Sequence, residues 1–413
     1  MHLQSPPRAN MKEKRKLTEG RMKKFLITLI LTTACAAGLF AGNRAAGTEK
    51  GGIDEYIPTR AFYVSFPDAR NADEFIKFVK EDMIPGGFNM LVVRVDWRFN
   101  WKAHPELIAG GAWSMEKIKE LVGVCREGNM ALVPMINLLG HQSWQDRMAK
   151  LLEVYPQFDE KPYVKLSDYT EWKWPNRDKY YCKSYCPNHP ELHPILFSCI
   201  DELLDAFETD MFHGGMDEVF DLADAYCPRC QGMDPARVFA DEVNRINAHL
   251  KERGARLMIW ADRLLDGRDE ATGYGEWSAS MTNTHRAIGM IDRSVIMCDW
   301  HYRVAEQSAV LFALNGYEVI TGGWMHPAIT ARQIEDIIRY RVHSSERSAK
   351  RYLGFMQTVW SGWEQFIRDY RENSDEDSAA RNYREAKKLF AKYAKEYRGK
   401  GLPEKDGRRI RGL

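Results

Sequence analysis

What this chain lacks narrows its function first. It has almost no net charge: 59 basic residues stand against 58 acidic ones, a formal net charge of +1. So even a balance gives no strong field to gather nucleic acid or coat an anionic membrane, and neither partner is expected. Beyond residue 42 no run is apolar enough to span a bilayer. What the chain has in plenty is aromatic rings, 12% of residues, with 12 Trp and 18 Tyr. Core packing accounts for most of them, but flat rings also pack on the apolar faces of pyranoses.

The one apolar run near a terminus reads as an address. Met22-Lys23-Lys24 is a short basic region, Phe25 to Leu31 is apolar and continues weakly to Phe40, and the small residues Ala41 and Gly42 follow. That is the pattern of a secretory signal peptide, too short for a stable span. The 21 residues before it add nothing a signal needs, so translation is expected to begin at Met22 or Met11. Cys35 follows Leu31-Thr32-Thr33-Ala34, a poor lipobox with its leucine one place too far back, which leaves a lipid anchor at Cys35 as an option. The expected organisation is an upstream extension and signal peptide over 1–42, a polar linker over 43–55, one folded domain over 56–398 and a basic, flexible tail over 399–413. The expected location is exported, periplasmic or extracellular.

Within the domain, short β-rich apolar runs alternate with longer amphipathic ones. Eight strands are expected: Arg60–Phe66, Asn89–Val95, Ala131–Asn137, Asp210–His213, Leu257–Trp260, Val295–Asp299, Glu318–Thr321 and Gly354–Val359. Helical signals lie between them. Ile118, Leu121, Val122 and Cys125 share one face, Asp234-Pro235 reads as an N-cap with Pro at the first helical position, and Thr330 with Gln333 reads as a capping box. A charged helix over about Ala379 to Tyr397 is expected to cover the outside. Eight β/α units favour a closed (β/α)₈ barrel, a TIM barrel, over an open doubly wound sheet. Functional residues should then gather at the C-terminal ends of the strands, and the polar and aromatic oddities do. They are Asp96-Trp97, Gly140-His141, His213 to Glu218, Trp260 with Asp262, Asp299 to His301, Trp324, and Trp360 to Glu364. The long excursion Gln142 to Pro190, carrying Trp144, Trp172 and Trp174, falls on the same face.

The most informative segment is Phe212-His213-Gly214-Gly215-Met216-Asp217-Glu218-Val219. Adjacent carboxylates raise one another's pKa, which suits a general acid near neutrality; acidic residues at a helix start are the alternative. The segment resembles the His-x-Gly-Gly-Asp-Glu signature of glycoside hydrolase family 20, the β-N-acetylhexosaminidases, and the resemblance runs over roughly Thr59 to Phe366. It implies a (β/α)₈ barrel and exo-acting, retaining cleavage of terminal N-acetylhexosamine from glycans, with no cofactor required for catalysis. Glu218 would protonate the leaving oxygen while the substrate's own acetamido carbonyl attacks the anomeric carbon. Asp217 would hold the acetamido N–H. His141 with Asp96 would form a relay tuning Glu218, and His213 would shape the site. Arg60 would reach the ring hydroxyls from the first strand, and Trp260, Trp300, Trp324 and Trp360 would wall the sugar. The sequence departs from the family at several places: Met216 replaces the second glycine, Met135, Asn137 and Leu139 replace the usual Glu, Asp and Pro, Ser65 replaces an Asp, and Gly362 stands where a sugar-binding Glu is usual, with Glu364 nearby. No tyrosine follows strand seven to hold the acetamido oxygen, and too few residues precede strand one for the family's small N-terminal domain. A divergent member with altered substrate-reading residues is expected. Two alternatives stand beside it: a non-catalytic glycan-binding barrel, and a glycosidase using Asp262 or Asp299 as its second carboxylate.

Two cysteine pairs complete the reading. Cys182 and Cys186 are spaced C-x₃-C, and Cys227-Pro228-Arg229-Cys230 is C-x₂-C. Four thiolates so spaced suit a structural tetrahedral zinc, whereas export favours disulfides. Cys125, Cys199 and Cys298 read as buried small apolar residues.

Overall fold

The computed structural model describes residues 51–144, 147–164, 166, 182–270, 272–373 and 376–403. The expected signal peptide, Cys35, Trp172 and Trp174 lie outside the described residues. Eight parallel strands close into a barrel in chain order. They are β1 (Thr59–Ser65), β2 (Met90–Arg94), β3 (Ala131–Leu138), β4 (Met211–Gly215), β5 (Arg256–Trp260), β6 (Ile296–Trp300), β7 (Glu318–Gly323) and β8 (Tyr352–Val359). All eight expected strands are present. Closure comes from β1 pairing with both β2 and β8, from Ser65 opposite Arg94 to Thr59 opposite Gly354.

Alternation along each strand sorts the core into two layers. Ala61, Tyr63, Met90, Val92, Met258, Trp260, Ile296, Cys298 and Ile320 fill the barrel interior. Their strand neighbours, such as Phe62, Val64, Leu91, Val93 and Leu257, face outward and pack under the helices. Each side chain in these layers is withdrawn from water, the dominant favourable term in folding.

The longer helices are α1 (Ala72–Phe78), α2 (Met115–Glu127), α3 (Leu192–Phe207), α4 (Pro235–Glu252), α5 (Ser308–Leu314), α6 (Pro327–His343), α7 (Trp363–Glu372) and α8 (Ala379–Glu396). The expected face of α2 is buried through Ile118, Leu121, Val122 and Cys125. At the start of α4, Asp234 accepts from the Ala236 amide ahead of Pro235. The outer cover α8 buries Ala380, Tyr383, Ala386, Leu389 and Phe390. Between β5 and β6 the crossover runs mainly through two 3₁₀ segments, Asp262–Leu264 and Thr284–Gly289, with a four-residue helical turn between them.

Three local expectations need correction. Thr330 and Gln333 lie inside α6, whose N-cap is His326. Thr330 Oγ1 accepts from Asn382, and Gln333 Nε2 donates to the His301 and Gly322 carbonyls, so both are buried ties between elements. The ordered body also extends past both expected edges. Residues Ile53–Tyr56 form a helical turn, Gly52 N donates to Lys400 O, and Tyr56 OH donates to Gly401 O. The last residues of the expected linker and the first of the expected tail are therefore bonded to one another.

Candidate active site

The site is built where β3 and β4 end side by side. Gly215 is the last residue of β4 and takes φ 67°; a Cβ there would sit 2.9 Å from Asn137 Oδ1. Gly140 follows β3, and a Cβ on it would lie 2.6 Å from Asp217 O. The two glycines let the strand ends meet closely enough to put the next residues of both segments face to face. Five non-glycine residues at this mouth adopt left-handed backbone: Asp96 (φ 45°), Leu139 (63°), His141 (55°), Met216 (69°) and Glu218 (49°). Such conformations cost about 1–3 kcal/mol each and cluster where function over-determines them. The strained positions therefore point to the same residues as the motif.

His141 joins the two carboxylates. Its Nε2 lies 3.2 Å from Asp217 Oδ2 and 3.2 Å from Glu218 Oε2. Burial opposes a charged imidazole, yet the Asp217 carboxylate and the Cys182 sulfur together outweigh it and raise His141 well above its ordinary pKa. For Asp217, burial would raise the pKa, but His141 reverses that and holds it below the usual value. Adjacent carboxylates alone lead to the opposite expectation for Asp217; the imidazole between them is what changes the sign. Asp217 Oδ1 is buried and has no partner. Glu218 is fixed from behind, its amide donating to Asp262 Oδ2 at 3.0 Å and its carbonyl accepting from Cys182 Sγ at 3.5 Å.

The other predicted residues divide. Asp96 does not pair with His141. Its Oδ1 accepts from the Asn137 amide at 2.9 Å and its Oδ2 lies 3.3 Å from Arg94 Nε, so the expected Asp96–His141 relay is replaced by direct contact of His141 with both carboxylates. Arg60 is corrected more sharply. It is the second residue of β1, at the end of the barrel away from the mouth, and its guanidinium binds Gly87 O, Asp54 and Ile57 O. The arginine at the mouth is Arg94, the last residue of β2, close enough to Tyr63, Asp96 and Asp217 for their charges to act on it. The signal was present in the sequence: Met90, Val92 and Arg94 alternate along β2, so Arg94 continues the interior-facing row to the C-terminal end of the strand.

His213 is fully buried. Its Nδ1 accepts from the Gly215 amide at 3.0 Å, which leaves Nε2 to carry the proton, and burial pushes its pKa down to about 3. Its ring lies 4.6 Å from that of Trp260, tilted by 52°. Trp260 is only 1% exposed and forms the floor beneath Trp360 and Tyr63, at 5.5 and 5.2 Å. Trp300, Trp324 and Trp360 stand at the ends of β6, β7 and β8, as expected. Linking them is Tyr302, which sequence reasoning did not single out. It stacks on Trp300 at 5.1 Å, meets Trp324 at 5.5 Å, and its hydroxyl accepts from Trp360 Nε1 at 2.7 Å. Trp144, half exposed, lies 6.2 Å from the His141 ring with the two planes 24° apart. Glu364 accepts from Asn71 instead of turning to the mouth.

The two other candidate carboxylates are already committed. Asp262 is buried against Arg263 Nε at 2.6 Å and holds the Glu218 amide; burial, helped by Asp217 and Glu218, pushes its pKa up to about 6 against the pull of Arg263. Asp299 accepts from Ser308 Oγ at 2.7 Å and lies 3.3 Å from His301 Nε2.

The cysteines also divide. Cys186, Cys227 and Cys230 converge with Glu160, their ligand atoms all within 4.8 Å of one another. Cys182, expected as the fourth member, is not in that cluster; it faces Glu218 O and His141. The C-x₃-C spacing misled because the two sulfurs point to different sides of one segment. All seven described cysteines are free and buried. Burial pushes the Cys125 and Cys199 thiols up to about 12, in keeping with inert packing residues.

A (β/α)₈ barrel with an imidazole-bridged carboxylate pair after its fourth strand and an aromatic wall around it has the architecture of a barrel glycosidase. The family model for the glycosyl hydrolase family 20 catalytic domain matches residues 92–372, and the chain belongs to that family. Among curated relatives, a β-hexosaminidase of Akkermansia muciniphila is 26% identical over 147 residues, covering 36% of this chain and 27% of that protein. A β-hexosaminidase of Vibrio furnissii is 21% identical over 212 residues, covering 51% of this chain and 30% of that protein. The matched stretches thus span less than a third of these relatives' length. Solved structures with the same fold include the Flavobacterium johnsoniae chitobiase, with a TM-score of 0.54 at 18% identity over 82% of this chain and 52% of that one. A β-N-acetylhexosaminidase from Bacteroides fragilis has a TM-score of 0.53 at 18% identity, over 80% of this chain and 65% of that one.

Proposed function

We propose that this protein is an exo-acting, retaining β-N-acetylhexosaminidase that removes terminal N-acetylhexosamine from glycans by substrate-assisted catalysis. The observation that carries the reading is the placement of His141 Nε2 at 3.2 Å from both Asp217 and Glu218, with Asp217 Oδ1 buried and unpartnered. A buried carboxylate oxygen without a donor is costly, and an acetamido N–H supplies one. Glu218 gives its proton to the glycosidic oxygen as the C1–O bond breaks. The acetamido carbonyl oxygen bonds to C1, forming an oxazolinium ion. Asp217, kept ionised by His141, offsets its positive charge. Glu218, now a carboxylate, takes a proton from water as that water attacks C1 and the acetamido oxygen leaves. Two displacements at C1 retain its configuration. No cofactor enters these steps.

Substrate reading falls to residues other than those first expected. Tyr302, whose hydroxyl accepts from Trp360 among the aromatic residues of the mouth, takes the acetamido oxygen, the task for which no tyrosine follows strand seven. Arg94 takes the ring hydroxyls in place of Arg60. The exported location read from Met22–Gly42 belongs to the same proposal, and N-terminal sequencing of the mature chain checks it. Proton NMR of the first-formed sugar tests the mechanism: the β-anomer appears first if configuration is retained, and early α-anomer would overturn it. A second-carboxylate glycosidase is not favoured by a comparable observation, since Asp262 and Asp299 are engaged elsewhere.

A further inference from the structure

We propose that Glu160, Cys186, Cys227 and Cys230 form a structural zinc site that ties the loop after Glu218 to the excursion after β3. The site stands apart from the catalytic residues, so it holds or fails independently of the hydrolase reading.

The sulfur geometry fits an ion better than a disulfide. Cys186 Sγ lies 3.5 Å from Cys227 Sγ and 3.9 Å from Cys230 Sγ. A disulfide requires about 2.05 Å. A tetrahedral zinc with Zn–S bonds of 2.3 Å sets its sulfurs about 3.8 Å apart. Three thiols also cannot all pair, whereas three thiolates and a carboxylate complete a four-coordinate shell.

Backbone amides turn onto two of the three sulfurs. The Asn188 amide donates to Cys186, and the Arg229 and Cys230 amides donate to Cys227. Amides turned onto sulfur in a Cys-Pro-x-Cys turn stabilise thiolates, which are what a metal binds. The independent observation is Glu160. It is fully buried, its Oε1 lies 2.7 Å from Cys230 Sγ and accepts from the Asp224 amide at 2.9 Å, and its Oε2 has no hydrogen-bond partner. A buried carboxylate with one oxygen unpartnered beside three thiols calls for a further partner, and a cation supplies it. Thiolates with one carboxylate select zinc over magnesium or calcium, which prefer all-oxygen shells.

The ligands come from three places that frame the active site. Glu160 follows the 3₁₀ turn Pro156–Phe158, Cys186 precedes α3, and Cys227 and Cys230 lie between Glu218 and α4. Cys186 belongs to the strut Cys182–Cys186, which accepts the Gln142 amide at Lys183 O, donates from Tyr185 N to Leu139 O, and contacts Glu218 O through Cys182. An ion here fixes the two loops that carry His141 and Glu218 without touching substrate.

The test is metal content of the full chain purified reduced and without chelator. About one zinc per chain is expected, and Glu160→Gln and Cys227→Ser should each lower it at least about tenfold after dialysis against a mild chelator. Cys182→Ser should keep its zinc. If Cys227→Ser does not fold, cobalt substitution of the wild-type chain still decides: tetrahedral cobalt with three thiolates gives an intense sulfur-to-metal charge-transfer band. The proposal is overturned if reduced wild-type protein holds no zinc and takes up none, if it holds iron instead, if Cys227 and Cys230 are joined in a disulfide, or if Cys182→Ser loses zinc while Glu160→Gln retains it.

Discussion

Replacing Gly140 with alanine adds one methyl group and should disable the site. Gly140 does not need left-handed backbone, so alanine meets no φ penalty there. Its Cβ would nonetheless stand 2.6 Å from Asp217 O and 3.2 Å from Val219 Cγ2. Ordinary contact begins near 3.4 Å, so the Asp217 carbonyl must retreat by about 0.8 Å, and the flanking carboxylates move with it. A displacement approaching 1 Å at the reacting groups costs on the order of 10²-fold, or about 2–3 kcal/mol in activation free energy. The assay is kcat/KM on a chromogenic N-acetyl-β-glucosaminide, with circular dichroism to confirm folding. Gly123→Ala is the control: it lies within α2 with nothing within 4 Å of its Cβ, and should gain about 0.5–1 kcal/mol in stability with unchanged turnover. A folded Gly140→Ala enzyme within about threefold of wild type would show that this close approach does not set the catalytic geometry.

Other substitutions separate roles within the mouth. Tyr302→Phe should raise KM for acetamido substrates about tenfold, the worth of one hydrogen bond to the substrate, and Michaelis curves check it. Arg94→Met should lower kcat/KM by about 10²-fold through a lost charged contact, whereas Arg60→Met should leave kinetics alone and cost about 2–4 kcal/mol in denaturant unfolding. His213 makes stability depend on pH. Its folded pKa, about 3, lies below the unfolded value near 6.5, so acid protonates the unfolded chain first. Stability should therefore fall by about 1.4 kcal/mol per unit below pH 6.5, reaching about 2.7 kcal/mol at pH 4.5. His213→Asn should flatten that part of the profile, as urea titrations at several pH values will show.

The barrel was legible because its signals are local and repeated. Eight short apolar runs separated by amphipathic ones admit few topologies, and the ends of those runs located His141, Asp217, Glu218 and Trp360. Direction was harder to read than position. Arg60 stands on a barrel strand, but only the three-dimensional path shows that it sits at the wrong end and is bound by Asp54 and two carbonyls. Cys182 and Cys186 are four residues apart, yet one faces Glu218 and the other Cys227. Glu160 could not be found from spacing, because its partners lie 26 to 70 residues away along the chain. Tyr302 escaped notice because it follows β6 and reaches across to Trp360, the first residue after β8. Contacts between loops are set by tertiary packing, and no periodicity encodes them.

In the proposed mechanism Asp217 and Glu218 act through the substrate's own acetamido group. The most direct measurement compares kcat/KM for p-nitrophenyl 2-acetamido-2-deoxy-β-glucoside and -galactoside with the matching β-glucoside and β-galactoside, for wild type and Glu218→Gln. Turnover of at least one acetamido sugar is expected, with none measurable of the sugars with a free 2-hydroxyl and a loss of at least about 10³-fold in Glu218→Gln. Comparable hydrolysis of the sugars lacking the acetamido group, or wild-type turnover that survives in Glu218→Gln, would contradict the mechanism.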